Sequence, residues 1–205
     1  MVGNSADSGD AKDVGASTPS PEPIPPTIPE PPPARFGAGL AVWLRDLIIS
    51  LAISAFIIIF LYQPVKVEGT SMMPLLVDQE RIFVNKFVYR LEPIERGDIV
   101  VFRYPYDPSK SYIKRVVAMA GDRIRIDAGR VYVNDKPLGE DYVPSEYADH
   151  RSFPEVVVPP NMYYVLGDHR RASDDSRRFG PVDQSFIYGK AVFGYWPVDK
   201  LGRVR

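Results

Sequence analysis

Arg123-Ile124-Arg125-Ile126-Asp127-Ala128-Gly129-Arg130-Val131-Tyr132-Val133-Asn134-Asp135-Lys136 contains two short runs of Ile, Val and Tyr, each closed by a tight polar pair. Asp127-Ala128-Gly129-Arg130 and Val133-Asn134-Asp135-Lys136 read as hairpin turns, because Gly, Asn and Asp tolerate the backbone angles that turns demand. Outward from these two strands (123–127 and 130–133), similar segments fall at 65–68, 81–87, 98–104, 112–119, 163–166 and 187–195. All are rich in Val, Ile, Tyr and Phe and bounded by Gly, Asp and Pro. No ten-residue amphipathic helix separates successive strands, which argues against a parallel βαβ sheet. The expectation is a mostly β, antiparallel domain over residues 63–205, with residues 129–160 as a small accessory β region.

The N-terminal part is of another kind. Residues 1–36 are rich in Gly, Ser and Asp and then Pro, ending in Pro29-Glu30-Pro31-Pro32-Pro33. Proline removes backbone donors and favours extended conformations, so a disordered tail is expected. Residues 47–62 then read LIISLAISAFIIIFLY, without a charge. With residues 40–44 added, the apolar stretch has about the length that crosses a bilayer. Trp43 and Tyr62 lie roughly 28 Å apart along such a helix, which suits an aromatic at each interface. A transmembrane anchor is predicted over residues 37–62. No small-x-small site follows it, so it reads as an uncleaved anchor rather than a signal peptide. Flanking charge does not orient it: Arg35 and Arg45 precede it, Lys66 and Arg81 follow.

The 205 residues include no cysteine and two histidines, His150 and His169, and the net charge is -1. Cysteine nucleophiles are thereby excluded, and the zinc patterns built on Cys and paired His lack ligands. Nothing in the charge favours nucleic acid. No cofactor or metal is expected, and the oligomeric state is not legible. Hydrolytic chemistry must rest on Ser, Thr, Lys and carboxylates, or on one histidine. Ser71 lies in Gly69-Thr70-Ser71-Met72-Met73-Pro74, an irregular segment just past the apolar stretch. Lys114 lies in Tyr112-Ile113-Lys114-Arg115-Val116-Val117. Strand alternation puts Tyr112, Lys114, Val116 and Ala118 on one face and Ile113, Arg115 and Val117 on the other. Both faces are largely apolar, so one of the two basic residues is expected in a poorly solvated place. Desolvation lowers a lysine pKa and makes the amine a base. The residues alone leave a second reading open, with Lys114 snorkelling and Arg115 paired to a surface acid. His169, in the charged segment 167–177, would allow a Ser-His-Asp triad, but its neighbours are charged and nothing marks an apolar setting.

Taken together, these segments resemble the bacterial type I signal peptidases, membrane-bound Ser/Lys peptidases. Val67-Glu68-Gly69-Thr70-Ser71-Met72-Met73-Pro74 resembles the nucleophile box, and Arg96-Gly97-Asp98-Ile99-Val100-Val101-Phe102 the next conserved strand. Tyr112 to Val117 followed by Gly121-Asp122 resembles the general-base box, and Gly167-Asp168 through Ser173-x-Asp175-Ser176-Arg177 the last. The resemblance covers nearly everything from the anchor to the C-terminus. It implies Ser71 as nucleophile, Lys114 as general base, Ser173 orienting the lysine, and an Asp175–Arg177 ion pair bracing the site. It further implies Met72 and Tyr112 as substrate-binding residues, preprotein signal peptides as substrates, membrane lipid as surroundings, and no nucleic acid. By the same resemblance the N-terminus is cytoplasmic and the β domain lies on the outer face of the bacterial cytoplasmic membrane. Three positions depart from the pattern: Gly69 where some members carry an oxyanion-hole serine, Leu75 for a threonine, and His169 for an asparagine. The rival functions are a dedicated processing peptidase of the same superfamily and a non-catalytic, membrane-tethered β domain that binds partners.

Overall fold

A computed structural model describes residues 36–204. The tail expected over residues 1–36 lies outside the described residues, except for Phe36, which begins helix α1 (Phe36–Leu61). The chain divides after Trp43, and the unit from Leu44 onward holds every strand. Within α1, Gly39–Ile57 is long and apolar enough to cross a membrane, and none of that window is buried. Leu47, Ile48, Leu51 and Ile53 are exposed, so this is not a core helix.

The strands that follow are β1 (Tyr62–Lys66), β2 (Arg81–Asn85), β3 (Ile99–Tyr104), β4 (Asp107–Met119), β5 (Arg123–Asp127) and β6 (Arg130–Val133). The rest are β7 (Lys136–Pro137), β8 (Phe153–Val157), β9 (Met162–Leu166), β10 (Val182–Asp183), β11 (Ile187–Trp196) and β12 (Gly202–Arg203). One-turn helices α2 (Val88–Leu91) and α3 (Ser176–Phe179) sit between strands. One sheet runs β1-β2-β11-β3-β4-β9-β10, with β12 on β11; the other runs β7-β6-β5-β8. Every pairing is antiparallel, as the sequence predicts. Both anticipated hairpins form, pairing Asp127 with Arg130 and Val133 with Lys136. Their central residues all have positive φ (46° and 85°, then 51° and 64°), the signature of turns whose twist matches the flanking strands. The second sheet thus takes in β5 as well as residues expected over 129–160.

Burial explains why the central strands read as unbroken apolar runs. Val100 and Phe102 of β3 enter one core cluster, with Val116 and Val165, while Ile99 and Val101 enter another with Met72, Leu76, Ile82 and Val84. A strand covered on both faces has no polar side to display. On β4 the expected alternation breaks. A bulge lies between Val116 and Ala118, and Ala118 joins Val117 against the second sheet rather than Val116. An inserted residue shifts the alternation by one, so Val117 and Ala118 both face the second-sheet cluster while Met119 packs back against the cluster of Val116.

Candidate active site

Ser71 sits in the loop between β1 and β2, and a set of backbone bonds shapes that loop. The N–H of Val67 donates to the Glu80 carbonyl (2.7 Å), that of Gln79 to Val67 (2.9 Å), and that of Met73 to Thr70 (3.1 Å). Gly69 has a φ of 94° and donates its N–H to the Asp78 carboxylate at 2.7 Å. A residue with a Cβ would be strained there, which gives a physical reason for glycine at this position. Met72 is 2% exposed and packs with Val67 and Leu76, so it pins the loop to the core directly after Ser71.

The segment after β9 closes on this loop. The His169 N–H donates to the Ser71 carbonyl at 3.0 Å. Gly167 allows the close approach: a Cβ there would lie 2.2 Å from Ser173 Oγ and 2.5 Å from the Ser71 carbonyl oxygen. Lys114, on the stretch of β4 that pairs with β3, completes the cluster. Its Nζ donates to Ser71 Oγ at 2.7 Å and to the Ile113 carbonyl at 3.0 Å. The side chain is 4% exposed, and burial lowers its pKa from 10.5 to about 8, against a smaller opposing pull from the Asp175, Asp174 and Asp168 carboxylates.

Of the sequence-predicted residues, Ser71, Met72, Tyr112 and Lys114 all line one groove of about 670 Å³. Residues 65–72 form one wall and 109–114 the other, with Ala172 and Asp174 at the rim. Asp175 is buried and takes the Arg177 guanidinium in two bonds, Nε to Oδ1 at 2.8 Å and Nη2 to Oδ2 at 2.7 Å. It also accepts the Gly167 N–H at 3.1 Å, which ties the ion pair to the residue wedged between Ser71 and Ser173. Ser173 departs from its expected role. Its Oγ is buried and makes no hydrogen bond, so it does not hold Lys114 in this arrangement. His169 is turned away from the serine hydroxyl: Nδ1 faces the Thr70 carbonyl at 3.2 Å and the ring packs edge-on to Tyr147. Geometry therefore favours the lysine over the triad.

The prediction that one of Lys114 and Arg115 is buried needs correction, since both are 4% exposed. Arg115 pairs not with a surface acid but with the fully buried Asp168, through bonds of 2.8 and 2.7 Å, and lies 4.0 Å over the Tyr142 ring. Arg170, also buried, reaches the Gly167 carbonyl and Glu140, and Arg177 reaches Asp149. Sequence reading missed these partners, because Glu140, Tyr142 and Asp149 lie in a polar stretch with no strand pattern. Among the described residues, no group of three or more His, Asp or Glu could hold a metal ion.

A serine hydroxyl hydrogen-bonded to a desolvated amine, at the base of a groove, is what general-base activation of a nucleophile requires. The comparison with known proteins identifies the family. The family model described as signal peptidase, peptidase S26, matches residues 40–196, and the chain belongs to that family. It is 34% identical to a signal peptidase I of Leptolyngbya laminosa over 199 residues, covering 92% of this chain and 97% of that one. It is 37% identical to a signal peptidase I of Bacillus amyloliquefaciens over 173 residues, 80% of this chain and 89% of the other. A crystal structure of a signal peptidase I from Enterococcus faecalis matches with a TM-score of 0.44 and 31% identity, over 48% of this chain and 97% of that one.

Proposed function

We propose that this chain is a membrane-anchored serine endopeptidase that removes N-terminal signal peptides from exported preproteins, with Ser71 as nucleophile and Lys114 as general base. The observation that carries the reading is the 2.7 Å contact between Ser71 Oγ and a buried, easily deprotonated Lys114. Neutral Lys114 takes the Ser71 proton as Oγ attacks the scissile carbonyl. The resulting ammonium returns that proton to the departing amine, leaving an acyl-enzyme. Lys114, neutral again, then draws a proton from water for deacylation. The Ser71 N–H, which donates no hydrogen bond among the described residues, is placed on the nucleophile itself to serve the oxyanion. Asp175 and Arg177 hold the Gly167 segment against the Ser71 loop.

The groove suits an extended peptide. β1 is the terminal strand of its sheet, and on β4 the register with β9 begins only at Arg115, so residues 111–114 pair on one side alone. Two open strand edges flank the groove, which is how a substrate strand is bound through its backbone. Met72 and Tyr112 form part of its walls. With α1 as the span, nine extended residues from Tyr62 to Ser71 keep the site within about 30 Å of the bilayer. We place the N-terminus in the cytoplasm and the groove on the outer face, where signal peptides emerge. A non-catalytic binding domain would have no use for an easily deprotonated lysine beside a serine.

The test is incubation of the detergent-solubilised chain with a preprotein and determination of the product's new N-terminus by mass spectrometry. Cleavage after the signal peptide, lost in Ser71→Ala, is the expected result. Uncut preprotein, or unchanged cutting by Ser71→Ala, refutes the assignment.

A further inference from the structure

We propose that a basic pocket beside the end of α1 binds the phosphate headgroup of an anionic phospholipid, an inference that rests on the reading of α1 as a membrane span. The pocket, about 550 Å³, brings together Lys86, Arg90 and Arg103 with Gln63, Ser111 and Gln184, and no carboxylate lines it. None of the three cations forms an ion pair among the described residues; the Arg90 guanidinium lies 4.8 Å over the Phe87 ring. Exposed arginines and lysines usually find an acid or spread over a surface. Three that share one concavity lined otherwise by neutral side chains, with no carboxylate to compete, form a cradle for an anion. Guanidinium forks and an ammonium fit the tetrahedral oxygens of a phosphate monoanion or diester.

Position identifies the source of that phosphate. The Lys86 N–H donates to the carbonyl of Leu61, the last residue of α1, at 3.2 Å. Tyr62 pairs with Asn85 in the next step of the ladder, and Gln63 of the pocket is two residues past the helix. The pocket therefore stands where the apolar helix gives way to the polar domain, at headgroup depth when the helix is inserted. Leu91, directly after Arg90, is 87% exposed. An apolar side chain next to a cation is the pairing that suits a surface lying on acyl chains and headgroups together. A free phosphate site would need neither feature. Ser111 lines this pocket and the groove that holds Ser71 as well, so a bound headgroup would sit beside the substrate's path from the membrane.

The test measures lipid retention by the full-length chain in non-ionic detergent, using native mass spectrometry with phosphatidylglycerol and phosphatidylcholine of equal acyl chains. Wild type should retain phosphatidylglycerol preferentially. Each basic residue near an anionic surface is worth about fivefold, so the variant combining Lys86→Gln, Arg90→Gln and Arg103→Gln should lose on the order of 100-fold. Lys86→Gln alone should lose about fivefold, a check that does not depend on the triple variant folding. Both variants should cleave a short soluble peptide like wild type. Equal retention of the two lipids, or a preference that survives the triple substitution, overturns the proposal. Displacement of the lipid by millimolar inorganic phosphate reassigns the pocket to a free anion and overturns the lipid. Flotation of wild type with pure phosphatidylcholine vesicles tests the span separately; a chain that does not float loses that reading, while the retention assay still scores the pocket.

Discussion

Replacing Lys114 by methionine should abolish cleavage and, at neutral pH, stabilise the fold. The lysine's pKa falls from 10.5 to about 8 through burial. Its charged form is therefore disfavoured in the folded state, and unfolding takes up a proton between those two values. Stability consequently rises with pH through the window from about 8 to 10.5, and below it the wild type carries the full penalty. A shift of that size corresponds to about 3 kcal/mol. Methionine keeps the length and removes the charge, but also removes the hydrogen bonds to Ser71 and Ile113, each worth about 1 kcal/mol. The net gain below pH 8 is about 1–2 kcal/mol, or a melting temperature roughly 3–6 °C higher for a domain of this size. Melting of the detergent-solubilised chain at pH 6.5 and pH 10 should show the gain at the lower pH and none at the higher. Equal or lower melting of the variant at pH 6.5 would refute burial as the cause of the lysine's lowered pKa. A gain that does not vary with pH would attribute the stabilisation to packing alone.

Four further outcomes follow from the site. With Lys114 near pH 8, only about one molecule in ten holds it neutral at pH 7, so kcat/KM for a signal-peptide substrate should rise about tenfold per pH unit and level off above 8. Because the Asp174 carboxylate supports the ammonium, Asp174→Asn should move that limb to lower pH; a shift the other way would contradict the electrostatic assignment. His169→Ala should keep cleavage within about tenfold of wild type, since the ring contacts the Thr70 carbonyl and not Ser71 Oγ; complete loss with an intact fold would revive the triad. Asp168→Ala strips the carboxylate from a buried arginine and should cost about 3–5 kcal/mol in chemical denaturation, whereas a loss under 1 kcal/mol would mean that solvent reaches Arg115.

The elements legible in the sequence were those whose residues satisfy local rules. The strands at 123–127 and 130–133 match the observed bounds because their turns are two residues long and chemically marked. β8 escaped notice because Pro154 sits within it, and proline is tolerated only because β8 is the edge of its sheet, a fact of tertiary position. β7, also an edge, contains Pro137. The first half of β4, Asp-Pro-Ser-Lys-Ser, has no strand propensity at all; it pairs with β3 only at its two ends, Asp107 and Ser111, and its exposed residues go on to form a groove wall.

The site divides along the same line. Motif order alone named Ser71, Lys114, Asp175 and Arg177, and the fold brings all four to one place. What no pattern could reveal is how two adjacent basic residues are both buried. Arg115 is matched by a carboxylate 53 positions away, in two charge-assisted bonds. Lys114 faces a neutral hydroxyl and a peptide carbonyl, and its charge is compensated only by carboxylates that act without touching it. Burial without a contacting anion is what lowers the amine's pKa. Gly167 and Asp168 thus bring different partners to the two sides of β4, and a one-residue slip of that strand would set beside Ser71 a guanidinium, which cannot serve as a base.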